Sequence, residues 1–276
     1  MTKHSQQKGF TLVELAIVLT IIGLLIGGIL KGQQLMTNAR VTATMAQVQA
    51  IEAATTTFRD TYGMSPGDIP SPNTRLTGFQ NTATTATLAT LGDGIIGLTA
   101  WDLTTAQSAT ALPAAANAAQ NETVLYWGEL SAAGLLSGIT YDGSANPTMA
   151  YGETHPASRL GGGWVVGNAN GSTGQPLTAA VAAGPSRSFL SGTVLALGSA
   201  PSTNLAIATA NLMTPSTAAQ IDRKMDDGNG LSGFIQGYGA TGAAGTAAAC
   251  LLNAAPYSYQ EANTGKTCSL FWRIQG

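Results

Sequence analysis

Two hydrophobic patterns follow one another at the start of the chain. From Phe10 to Leu30, twenty-one successive residues carry one charge, Glu14. At 1.5 Å per residue a helix of that length is about 31 Å long, the thickness of a bilayer's hydrocarbon core. Beyond "KGQQLMTNAR" the pattern changes. Val41, Met45, Val48, Ile51, Thr55, Phe58 and Tyr62 recur at steps of three and four, which predicts one amphipathic face of a continuing helix. The two stretches together predict a rod from about Phe10 to Asp60, roughly 75 Å long. "YGMSPGDIPSPN" ends it, because Pro66, Pro70 and Pro72 cannot continue a helix.

The remaining pattern is broken into short pieces. Residues 77–120 are rich in Thr and Ala, "NTATTATLATLGDG" among them, and read as an extended insertion on the surface of a head. "NETVLYWGELSAAGLLSG" predicts a short amphipathic helix with Val124, Trp127, Leu130 and Gly134 on one face and Trp127 in the core. "GGGWVVGN", "GTVLALGS" and "CSLFWRI" read as strands between Gly/Pro/Asn-rich turns. The class that follows is α+β, a long N-terminal helix packed on a small antiparallel sheet. Its segments are 1–9, an oily 10–30, an amphipathic 31–62 and a head over 63–276.

One further helix is predicted in "TPSTAAQIDRKMDDGNGLSGF", with Thr214 as cap, Pro215 in the first turn and Gly228 as terminator. Asp226 and Asp227 then fall at the C-terminal end, where the helix dipole disfavours anions. Lys224, backbone amides of the next turn, or a bound cation could compensate. Asp222, Asp226, Asp227 and Asn229 offer oxygens suited to Ca²⁺, though their spacing is not that of an EF-hand loop. Hydrogen bonding within the turn is the simpler reading, and no cofactor is required.

Composition narrows the function. Only 9% of the 276 residues are charged, against about 25% in an ordinary soluble protein, which suits an exported surface. A hydrophobic fraction of 44% and well-spaced Trp residues argue against disorder of the whole chain. The net charge of −2 gives no general attraction to nucleic acid. Cys250 and Cys268 lie close together near the C-terminus. In an exported chain they read as one disulfide worth about 3 kcal/mol, with two buried free thiols as the alternative. The two histidines are His4 and His155, the latter in "ETHPAS", where an exposed turn is expected. No GxSxG, HExxH, CxxC or GxxxxGK[ST] occurs, so nothing in the sequence points to an enzyme. The sequons at Asn121 and Asn170 are short enough to arise by chance.

The N-terminus carries the sharpest signal. Residues 1–9, "MTKHSQQKG", are polar and basic, which holds them on the cytoplasmic side and sends the rest of the chain across. A secretory signal would have a core of about 7–15 apolar residues and a small-x-small cleavage site. This run is longer, and "GILKGQQL" has no such site. A plain anchor fits the length and leaves Glu14 unexplained, since a charge at membrane depth is costly and marks a function with a partner.

"KGFTLVEL" followed by an apolar run resembles the processing site of type IV prepilins and type II secretion pseudopilins. The resemblance implies cleavage between Gly9 and Phe10 by a membrane-embedded prepilin peptidase that also methylates the Phe10 amine. It implies the α+β pilin architecture and assembly into a helical homopolymer through Phe10 and Glu14. On that reading both charges are stranded in oil until the Glu14 of one subunit meets the Phe10 amine of a neighbour. It also implies a single-pass inner-membrane precursor with its head outside, an inner-membrane assembly platform, and then an extracellular fibre. "YW-EL" and "ID-K-DDG" resemble segments of some large pilin-like heads. Where many major pilins have a proline, this chain has Lys31, with Gly23, Gly27, Gly28 and Gly32 around it for softening or close packing. A major pilin, a secretion pseudopilin acting as a periplasmic piston, and a minor tip pilin with an adhesive role all remain open. The mature length and the Thr/Ala-rich insertion favour a pilus or pilus-like subunit over the smaller major pseudopilin.

Overall fold

Helix α1 runs unbroken over Leu12–Tyr62, 51 residues or about 76 Å. The computed structural model describes residues 11–80, 91–97, 122–144, 148–171, 173–174, 187–188, 190–201, 212–239, 241–242, 249–252 and 258–274. Gly63 ends α1 at φ +75°, its N–H donating to the Arg59 carbonyl at 2.8 Å. That is the left-handed cap for which glycine is suited. The buried face of α1 is Val41, Thr44, Val48, Ile51, Ala54, Thr55 and Phe58. Met45 and Tyr62 of the expected stripe are half-buried at its margins.

The other helices among the described residues are α2 (Pro72–Arg75), α3 (Glu122–Ala132) and α4 (Pro215–Met225). The strands are β1 (Gly163–Asn170), β2 (Thr173–Gly174), β3 (Arg187–Ser188), β4 (Ser191–Gly198), β5 (Ile235–Tyr238), β6 (Thr241–Gly242), β7 (Leu251–Leu252) and β8 (Ser269–Arg273). Four of them form an antiparallel sheet in the order β1-β4-β8-β5. Its register places Trp164 opposite Leu197, Leu195 opposite Trp272, and Trp272 opposite Ile235. Strand alternation sends these side chains to one face, where they join the core made by α1, α3 and α4. The Trp164 and Trp272 rings meet edge to face, 5.0 Å between centroids. The opposite face, with Val194, Ala196 and Phe271, is buried as well. A long helix on a small antiparallel sheet is therefore the architecture.

Three expectations are corrected. Helix α3 is enclosed on every side rather than along one stripe: each residue from Glu122 to Leu130 is buried, and Gly134 is exposed in the turn that follows. It is the central strut of the head, which a stripe of Val124, Trp127 and Leu130 does not reveal. His155 is buried, not exposed. Its Nδ1 lies 2.9 Å from the Thr154 hydroxyl, and its ring stands between those of Trp127 and Tyr151. The stretch read as a surface insertion reaches the core at Phe79 and Ile96, both buried, and half-buried Leu91 packs against it. Ile96 is also fixed to β1, its carbonyl accepting from Asn168 N–H at 3.1 Å. Most of residues 77–120, and the Asn121 sequon, lie outside the described residues.

The turn after α1 is set by close approach. Gly67 has φ +82°, and a Cβ there would collide with the Glu122 carbonyl and crowd the Tyr126 amide. Gly67→Ala should lower stability by at least about 1–3 kcal/mol, from left-handed strain plus the clash. Urea unfolding of the full chain measures it, and a neutral result would mean that this turn is free to shift.

Candidate functional site: an uncovered helix and a buried acid cluster

Every residue of α1 from Leu12 to Arg40 is exposed, and Val41 is the first to enter the head. The exposed part includes Leu12, Val13, Ile17, Ile21, Leu24 and Leu25. So long an apolar surface on a soluble monomer is far above the few hundred Å² normally left uncovered. It is long and apolar enough to cross a membrane.

At its tip, Glu14 is not stranded as expected. Its Oε2 accepts from the Thr11 amide at 2.9 Å and the Thr11 hydroxyl at 2.8 Å, while Thr11 Oγ1 accepts from the Glu14 amide at 3.3 Å. This is a reciprocal capping box, and Thr-Leu-Val-Glu in the sequence is its signature. The carboxylate therefore has a local partner within its own helix, and that partner engages only Oε2. Gly9 and Phe10 lie outside the described residues.

A second constellation escaped the sequence reading. Asp68, Glu122 and Glu129 are all buried. Asp68 Oδ1 and Oδ2 accept from the amides of Gly92 (2.5 Å) and Gly94 (3.0 Å). Glu122 Oε2 accepts from Gly97 N–H at 2.7 Å, and Glu129 Oε2 from Gly67 N–H at 2.6 Å. Two glycine-bearing segments, 63–70 and 91–97, are thus fastened to α3 by acids. Burial raises the Asp68 carboxyl above its ordinary value, against the pull of the two amides. Burial pushes Glu129 up to about 8, with Asp68 and Glu122 adding to the rise and the Gly67 amide opposing it. The signals were a lone acid in the apolar run "VLYWGEL" and the pair of turn motifs "SPGD" and "LGDG".

The third cluster is the one anticipated after α4. Thr214 caps the helix by accepting from Thr217 N–H at 3.3 Å, and Asp226 closes it. Gly228 lies two residues further on, so it follows the helix rather than ending it. Asp222, Asp226 and Asp227 can bring one oxygen each within 4.8 Å of one another. Backbone amides compensate these charges. Asp222 accepts from Gly228 N–H (3.0 Å) and the Tyr259 hydroxyl (2.8 Å), and Asp226 from Ile235 N–H (2.8 Å). Asp227 accepts from Asn229 N–H (2.8 Å) and the Ser232 hydroxyl (2.5 Å), and Asn229 Oδ1 from Leu231 N–H (3.2 Å). Burial lifts Asp222 to about 6. Each of the four side chains thus holds the turn together. Lys224, the side chain that could have offset the acids, has no part in these bonds.

Cys250 and Cys268 are joined in a disulfide, with Cα atoms 5.1 Å apart. Among known proteins, residues 4–30 match the family described as the prokaryotic N-terminal methylation motif. That motif is the signature of type IV pilins and pseudopilins, and the N-terminal segment of this chain carries it. The motif implies prepilin peptidase processing, fits, with the apolar half of α1, a membrane-anchored precursor, and points to a structural protein. No curated protein and no solved structure matches the chain.

Proposed function

We propose that this chain is a structural subunit of a type IV pilus or pilus-like surface filament. It is held in the inner membrane by α1 with its head outside. Prepilin peptidase cuts between Gly9 and Phe10 and methylates the new amine, and an assembly platform draws the subunit into a helical homopolymer. The observation that carries this reading is the apolar half of α1, which no part of the described head covers. Lipid covers it in the precursor, and helices of neighbouring subunits cover it in the fibre. After cleavage, the Phe10 ammonium of one subunit and the Glu14 carboxylate of the next neutralise one another in the low-dielectric core.

The experiment is mass spectrometry on material sheared from the cell surface. We expect fibres whose subunit begins at Phe10 and carries one methyl group on that amine. A mature chain beginning at any other residue would overturn the reading. A second reading, a pseudopilin piston, draws on Lys31 standing where many major pilins have proline and on α1 running through it without a break. A secretion defect in the deletion strain without surface fibres would select it.

A further inference from the structure

Besides the core contacts of Ile69 and Ile96 and the bond from Asn168 to Ile96, the two segments of the head are joined to α3 and to one another through carboxylates. Glu129 is fully enclosed, and while its Oε2 accepts from the Gly67 amide, its Oε1 has no hydrogen-bond partner among the described residues. We propose that Glu129 is a proton-operated latch: with its carboxyl protonated, segments 63–70 and 91–97 stay fastened to α3, and with it ionised they are released.

The surroundings decide how the charge is received. From the segment after α1, Asp68 faces Glu129, and from α3 itself, Glu122. Both are acids. From the segment after α3, the Tyr141 phenol feels the Glu129 charge. Arg59 of α1 acts on the neighbouring Tyr126 phenol, whose oxygen is 2.5 Å from the Thr55 hydroxyl. The His155 ring stands 6.5 Å from that of Trp127. Asp93, in segment 91–97, bears on Asp68.

An anion at Glu129 would therefore have one amide in its favour, two carboxylates against it, and a bare buried oxygen. A proton on Oε1 neutralises the group and leaves Oε2 to accept from Gly67. Opening the latch returns Glu129 to water and to an ordinary carboxyl pKa. Because Asp68 in the first segment grips Gly92 and Gly94 in the second, the two leave together.

The sign follows from linkage. The closed form holds its proton up to about pH 8, and the open form loses it near 4.5. In that window the closed form binds more protons, so closure weakens as pH rises and levels off above the upper value. Hydrogen exchange of the full chain in detergent, read on peptides covering 63–70 and 91–97 and corrected for intrinsic rates, tests this. Between pH 5.5 and 7.5 we expect about a hundredfold fall in protection of both segments, and no fall on the buried face of α1. In Glu129→Gln, where the group cannot ionise, the profile should be flat. Constant protection in the native chain would overturn the proposal by itself, whether or not the variant folds. An equal fall in Glu129→Gln would overturn it too.

Discussion

A Glu14→Ala chain should be cut after Gly9 and should yield at least about tenfold fewer fibres, because on the proposed mode of assembly its tip has lost the charge that pairs with a neighbour's amine. The capping box adds a complication, since Glu14 has a second role at the helix end. Glu14 also closes the first turn of α1, so its removal frays the helix end and removes the charge at once. Glu14→Gln separates the two effects. Glutamine keeps the reciprocal cap with Thr11 and carries no charge. If charge pairing drives assembly, the Gln chain fails as the Ala chain does, while cleavage and methylation continue in both. Immunoblots of sheared and cell-bound fractions, with N-terminal mass spectrometry on each, give the result. Normal fibres from Glu14→Gln would reduce Glu14 to a helix cap and remove the electrostatic part of the assembly mechanism.

How much of this was legible in the chain depends on the range of the interactions involved. Helix α1 was readable to within about two residues, since its apolar run, its amphipathic period and the proline-rich stretch beyond it are local, whereas the Gly63 cap that ends it was not singled out. Three strands of the sheet were readable, because each is a short run set between Gly/Pro/Asn-rich turns. Strand β5 went unseen: "IQGY" is too short and too mixed to show a period, and it exists by pairing with β8. Helix α3 was found and misjudged, because burial of its charged side depends on glycines at 67 and 97, far away in sequence. His155 failed for a related reason. A histidine beside a proline looks like a solvated turn until Trp127 and Tyr151 close over it. The candidate site divides the same way, with the processing motif written in consecutive residues and the acid cluster assembled only by tertiary contacts.

Replacing Cys250 and Cys268 together by Ala should cost about 3 kcal/mol, since the bond closes a loop of roughly 18 residues. For a chain of this size that corresponds to a fall in melting temperature of about 6–12 °C. The loop is also where several long-range contacts converge. Cys268 pairs with Met213 at the entry to α4, each donating its amide to the other's carbonyl. Within the loop, Gln260 N–H donates to the Cys250 carbonyl at 2.8 Å and Asn263 Nδ2 to the Ala249 carbonyl at 2.9 Å. Tyr259 reaches out of it to Asp222 on α4. Opening the loop therefore loosens both the start of α4 and its acidic end. The buried Asp222 carboxyl then regains water, so it should titrate closer to its ordinary 3.8 than to about 6 in the Ala pair. Thermal melts of the oxidised, reduced and doubly substituted chains should place the last two together and well below the first. If reduction left the melting temperature unchanged, the hydrogen bonds of the described residues between 249 and 268 would be holding that end of the head by themselves, and the covalent link would add no net stability.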